Sequence, residues 1–297
     1  MSACLAMLTY YSDRRMNHLF PQGEKICVGA EGGRGDFIHL EYYDLINGTY
    51  QPRTLWIVEK EGKIPDIGDW IYRFPDIEAF HVSRDLVPFK KVNLENLKSF
   101  SLRTFQDENL ICKYQEHLWL EDQVLPNVKF FYYFDHKISD LCGLNPYNLP
   151  NLEWLECHLD AKGTTLEAIS EFKTLTALSI TTVWKHDVFG AFNNQIKLLN
   201  LEGFSKGFPM MKISKQTNLE ILRINSYKQE FDLEWLLDIN LKELILLNCS
   251  KIINAEVLLK MKHLENLDIL DCKKALSKEL KSKLKEKGFN YLNIEYA

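Results

Sequence analysis

An α/β solenoid is the fold class this sequence predicts: a coil with short parallel strands on one side and helices or irregular turns on the other. Four observations carry that expectation. An apolar triplet at positions 1, 4 and 6 of a short motif recurs as Leu152, Leu155, Cys157; Leu175, Leu178, Ile180; Ile196, Leu199, Leu201; Leu219, Leu222, Ile224; Leu241, Leu244, Leu246; and Leu264, Leu267, Ile269. The middle residues of successive triplets are 23, 21, 23, 22 and 23 residues apart. Turn-forming leads stand just ahead of such positions, as in Phe74-Pro75-Asp76-Ile77, Leu94-Glu95-Asn96-Leu97, Leu125-Pro126-Asn127-Val128 and Leu149-Pro150-Asn151-Leu152. Finally, helical spacing of apolar residues marks Thr164 to Phe172, Leu233 to Ile239, Asn254 to Met261 and Ser277 to Lys287, whereas Gly203 to Met211 is too irregular for a full helix.

Strand geometry explains the spacing. Alternate side chains point to opposite faces, so positions 4 and 6 enter a core while position 5 points away from it. A single unit cannot bury its apolar face, and stacked neighbours bury a continuous one. In two repeats the pattern runs on to a Cys three residues after its last apolar position, in Leu244-Ile245-Leu246-Leu247-Asn248-Cys249 and Leu267-Asp268-Ile269-Leu270-Asp271-Cys272. With this extension and a period of about 20–29 residues, the chain resembles the leucine-rich-repeat family. The same slot holds Asp160, Val183, Phe204 and Tyr227 elsewhere, so the repeats are divergent. The resemblance implies a curved horseshoe, with a parallel β-sheet on its concave face and helices or turns on its convex face, used as a scaffold for recognition.

In chain order, residues 1–50 show no repeat and are expected to cap the solenoid, because its first coil would otherwise expose its core. They hold the Gly-rich stretch Gly29 to Asp36 and an alternating run from Phe37 to Tyr42, read as a turn and a strand. The solenoid is expected over residues 51–297. Leu55 with Ile57, Phe80 with Val82, Phe100 with Leu102, and Phe131 with Tyr133 take the inward positions of the earlier repeats. Their middle residues lie 25, 20 and 31 apart, which places an insertion near residues 107–122. A helix and a last strand (Phe289, Leu292, Ile294) form the expected closing cap at residues 274–297.

Composition is that of an ordinary globular protein, and the formal net charge of −5 speaks against a basic nucleic-acid face. No run of apolar residues approaches the length of a membrane span. Ala3 to Leu8 lacks a preceding basic residue and makes a poor signal peptide, while Met16 offers a second start. Seven Cys, with no Cys-x-x-Cys pair, read as reduced thiols in a cytoplasmic chain, Cys249 and Cys272 filling the core as small buried residues. The Gly-rich stretch matches neither phosphate-cradling motif, and Arg34-Gly35-Asp36 is a tripeptide short enough to recur by chance. Eight scattered His give no zinc spacing, and no nucleophile elbow occurs. No catalysis, cofactor or metal is expected, and no small-molecule substrate is evident. The lysine-rich tail from Lys273 to Lys287 contains Glu279 and Glu286 and reads as a solvated helix face.

Function is therefore expected on the strand face turned away from the core. The residues placed there as partner-binding are Phe130, Tyr132, Phe134, Trp154, Glu156, His158, Glu202, Arg223 and Asp268. The aromatic members form a row of the kind that dominates interface energetics; the alternative is that the 107–122 insertion folds over them as a local core. Glu202, Glu265, Asp268, Asp271 and Glu295 make the later repeats acidic, which suits a basic partner protein. The sharpest reading is a non-enzymatic intracellular inhibitor or immunity-type protein that neutralises a toxin or hydrolase. An adaptor or substrate-recognition subunit docking through the N-terminal segment, and an exported surface adhesin, are the alternatives.

Overall fold

The period-two alternation of the triplets becomes a parallel ladder in the computed structural model, which describes residues 23–28, 37–57, 74–82, 97–103, 124–134, 146–158, 167–181, 183, 188–191, 194–272 and 275–294. These residues fall into two compact units, one within Met1–His136 and Cys142–Glu153, the other within Lys137–Leu141 and Trp154–Ala297. The Gly-rich stretch and the 107–122 insertion lie outside the described residues.

In the first unit the chain forms β1 (Lys25–Val28), β2 (Ile38–Leu40), α1 (Tyr42–Asn47), β3 (Thr54–Ile57), β4 (Ala79–Val82), β5 (Ser99–Arg103) and β6 (Phe130–Phe134). The strands lie in the order β6-β5-β4-β3-β1-β2, all parallel. Ile26, Leu55, Phe80, Phe100 and Phe131 share one level of the ladder. The ladder thus reaches back into residues 1–50. The run from Phe37 to Tyr42, expected as one strand, stops at Leu40, and Tyr42 opens α1. That helix anchors itself by burying Leu45.

The second unit contains β7 (Trp154–His158), β8 (Ala177–Ile180), β9 (Leu198–Glu202), β10 (Ile221–Asn225), β11 (Glu230–Asp232), β12 (Glu243–Leu247), β13 (Lys251–Ile253), α2 (Val257–Lys260), β14 (Asn266–Leu270), α3 (Lys278–Glu286) and β15 (Tyr291–Asn293). Its main sheet runs β15-β14-β12-β10-β9-β8-β7. Leu155, Leu178, Leu199, Leu222, Leu244, Leu267 and Leu292 stand in one row. The first six of these, and Cys157, Ile180, Leu201, Ile224, Leu246 and Ile269 beside them, are buried. The fold is an α/β solenoid of the leucine-rich-repeat kind: the main-ladder strands of each unit follow in sequence order, save that β1 lies between β3 and β2, and they keep the register of the triplets.

Six of the leads ahead of strands are tight turns with the same bond, while ahead of β12 the Leu241 amide donates to the Ile239 carbonyl instead. The amide of Ile77 donates to the Phe74 carbonyl, Val128 to Leu125, Leu152 to Leu149, Leu175 to Phe172, Leu219 to Gln216 and Leu264 to Met261. Both ends of every such turn are buried, so the turn is held by the core as well as by its hydrogen bond. Strand exits in the second unit use a different device. Gly203, Ser226, Asn248 and Asp271, one residue beyond β9, β10, β12 and β14, have φ between 52 and 76°. Short polar residues and Gly tolerate that left-handed backbone best.

The return segments are shorter than their helical spacing predicts. Glu167–Glu171 and Leu233–Leu236 are 3₁₀ turns, and α2 covers four residues of the expected Asn254 to Met261. A coil of some 22 residues has too little chain between strand exit and next lead for a longer helix, and 3₁₀ geometry rises faster per residue. The Asp232 carboxylate caps one such turn by accepting from the Glu234 amide at 2.9 Å. Among the described residues α3 alone is an α-helix of two turns, with Ser277 Oγ accepting from Leu280 N and with Leu280 and Leu284 buried. The Lys287 ammonium after it donates to the Leu258 and Met261 carbonyls, at the end of α2.

The slot after the triplet holds Cys249 and Cys272 fully inside, the Cys249 amide donating to Cys272 Sγ at 3.3 Å. Aromatics fill it in the preceding coils, where Phe204 and Tyr227 meet edge to face at 5.0 Å and continue to Phe208 and Phe231.

Candidate protein-binding surface

Position 5 of each repeat and its flanks point away from the core, and whether water reaches them differs along the ladder. In the first unit Cys27, Thr54, Trp56, Ala79 and Phe130 occupy outer positions and are buried, with the Phe37 ring edge-on to Trp56 at 6.0 Å. On β7 and β8, Trp154, Glu156, Ala177 and Ser179 are buried as well. From β9 onward the outer face opens: Asn200, Glu202, Arg223, Asn225, Ile245, Leu247, Asp268, Leu270 and Asn293 are all half-buried.

Three residues expected in solvent are therefore inside. Phe130 is 1 %, Trp154 0 % and Glu156 1 % exposed. A period of two sets the direction of a side chain and is silent on what packs against that direction; covering a large aromatic removes roughly 150–250 Å² from water. The side chains of Tyr132, Phe134 and His158 lie outside the described residues. Glu202, Arg223 and Asp268 stand together on the open part, on β9, β10 and β14. Of the other acidic residues expected there, Asp271 is one of the left-handed strand exits and Glu265 stands at a strand entry.

Polar groups on the open face are engaged with one another. Asn200 donates to Ser179 Oγ at 2.9 Å, and the Arg223 guanidinium meets Glu243 at 3.2 Å with both side chains mostly shielded. Burial holds the Glu202 carboxyl above its usual range, against a hydrogen bond with Asn225 that favours its charged form. Asp268 is raised too, by burial first and by the Glu243 charge, with Asn293 acting the other way. On the closed part, burial and then the Glu156 charge push the Cys157 thiol far up, which leaves it inert as a nucleophile. Among the described residues no three metal-ligating side chains converge, and no helix is long and apolar enough to cross a membrane.

Sequence reasoning passed over a charged ladder at the strand entries. The residue before each strand carries the carbonyl that accepts from the next strand, and in the first unit these are Glu24, Arg53, Glu78, Lys98 and Lys129, with Glu153 after them. Arg53 and Lys98 both pair with Glu78, and Lys129 pairs with Glu153. In the second unit Lys197 and Lys242 flank Glu220 at 3.6 and 2.6 Å. The signal was in the sequence as opposite charges at position 2 of successive motifs, directly after the first apolar residue of each triplet, legible only once strand entries are aligned.

A search of protein-family models finds no match to this chain, and no curated protein matches it in sequence. Among solved structures it is similar to an internalin from Listeria monocytogenes, at 16 % identity over 79 % of this chain and with a TM-score of 0.48. It is also similar to the plant peptide hormone receptor RGFR1 in complex with RGF2, at 10 % identity over 92 % of this chain and a TM-score of 0.30. The chain spans 65 % and 63 % of the lengths of those two chains. At such scores the fold rests on the strand register described above.

Proposed function

We propose that this protein is a non-enzymatic binding module that recognises a partner protein through the outer face of β9 to β15. The observation that carries this reading is the change at β9 from a sheet covered on both faces to one whose outer face is half-open and carries Ile245, Leu247 and Leu270 among charged groups. Apolar residues beside charged ones form the usual composition of an interface core and its rim. Glu202, Glu243 and Asp268 outnumber Arg223 on this face, so a basic partner is favoured and would associate faster at low salt. Action by occupying that partner, as a cytoplasmic inhibitor or immunity-type protein neutralising a toxin or hydrolase, is the specific role we assign.

Capture from the native lysate on immobilised protein tests the reading, comparing wild type with Leu270→Arg after thermal melting has matched their folding. One stoichiometric partner, lost from the variant and inhibited by one equivalent of wild type, is the expected result. Retention by the variant sinks the assignment of this face, and a captured partner whose activity is unchanged sinks the inhibitor role.

A further inference from the structure

The open face holds one carboxylate that the protein itself leaves unfinished. Asp268 lies on β14, level with Ile245 on β12 and Asn293 on β15. Its Oδ1 is shielded from water and meets no hydrogen-bond donor among the described residues. On the same level of the ladder, two strands away on β10, the Arg223 guanidinium is engaged by Glu243. Burial first, and then that same Glu243 charge, disfavour the ionised form of Asp268, against a hydrogen bond with Asn293 that favours it. A shielded carboxylate oxygen without a donor is costly, and an incoming cation with hydrogen-bond donors is what would relieve it.

The surroundings of Asp268 select among cations. Ile245 stands beside it across the ladder, Leu270 follows two residues along β14, and Tyr291 lies diagonally across on β15, where it is 53 % exposed. An ammonium is compact and strongly hydrated, and half-buried apolar walls would strip its water for a single point contact. A guanidinium is weakly hydrated, presents paired donors to a carboxylate and stacks its plane on an aromatic ring. On the reading that this face binds a protein, we propose that Asp268 receives an arginine side chain of that partner. The guanidinium bonds the carboxylate, and the stem lies on Ile245 and Leu270 with Tyr291 against its plane.

Free arginine side chains can be tested without the partner. The probes are N-acetyl-arginine amide and N-acetyl-lysine amide, with glycinamide hydrochloride as the ionic-strength control, added to the full chain while the Asp268 carboxyl is titrated by NMR. The arginine probe is expected to lower the Asp268 midpoint by about 0.5 and to bind about threefold more tightly than the lysine probe. The Asn293 side-chain amide should shift with it in wild type and stay still in Asp268→Asn, an isosteric change that keeps the fold. Tyr291→Ala should remove the preference for arginine while leaving a lysine-like response. Equal effects of the two amides, or no effect beyond that of glycinamide, overturn the proposal. Either of those results, with partner capture still abolished by Leu270→Arg, would reject the arginine site and leave the binding face standing.

Discussion

Strands β3 and β8 are buried at every position, whereas β10 and β14 alternate buried and half-buried residues along their length. All four have the same parallel pairing and the same inward apolar residues, so the difference lies in their outward positions. Parallel sheets covered on both faces read as continuous apolar runs, and sheets with one wet face read as alternation. Thr54-Leu55-Trp56-Ile57 and Ile221-Leu222-Arg223-Ile224-Asn225 show the two cases. The difference teaches that the outer face of one ladder can be closed along some strands and half-open to water along others.

The largest test of that contrast is Trp154→Ala against Ile245→Ala. Trp154 is fully buried on its outer position, and its truncation should destabilise the fold by about 3–5 kcal/mol in urea, while half-buried Ile245 should lose about 1 kcal/mol or less. Similar losses at both positions would erase the distinction between a closed and an open face. Next in size is Arg223→Ala, which removes the guanidinium paired with the Glu243 carboxylate, itself only 9 % exposed. We expect a loss of roughly 2 kcal/mol, below the value for a fully buried pair, and partial recovery in the Arg223→Ala/Glu243→Gln double variant. A double variant no better than the single would mean that the guanidinium matters for packing rather than for charge.

Smaller and of opposite sign is the effect of removing charge from the open face. Asp268 and Glu202 have folded pKa values above their unfolded ones, so the folded state binds more protons between the two and stability falls as pH rises through that window. The penalty is absent in acid, below the unfolded carboxylate range of about 4, and complete above the folded pKa. Asp268→Asn should therefore stabilise the protein at pH 7 by less than about 1 kcal/mol, given solvent screening, with the gain vanishing at low pH. Chemical melts at several pH values read this directly, and a variant less stable than wild type at pH 7 would contradict it. A carboxylate whose charged form is disfavoured in the folded state, with one oxygen lacking a donor among the described residues, fits the open face as a binding surface.

The smallest expected effect lies on the strand-entry ladder. Lys242 pairs with Glu220 at 2.6 Å on an exposed edge, so Lys242→Ala should leave the melting midpoint within error of wild type. A clear loss would show that the alternating charges hold strand register, a role that pair energies of this size do not suggest.

The sequence alone determined the coil, the strand positions and the inward face, because each follows from local rules. Period two orients Leu222 and Ile224 inward wherever Ile221 to Asn225 is extended, and the repeat length returns the chain to the same place each turn. The Cys slot was legible for the same reason, as a fixed offset from a strand. Tertiary structure decided the rest. Phe130, Trp154 and Glu156 point outward as their positions require, yet they are buried, because alternation along a strand fixes a side chain's direction and not what packs against it. The short return turns and the left-handed exits at Ser226, Asn248 and Asp271 were likewise set by how little chain closes each coil. Of the surface first expected to bind, the tertiary structure leaves Glu202, Arg223 and Asp268 half-open to water: direction is written locally, and exposure is a property of the whole fold.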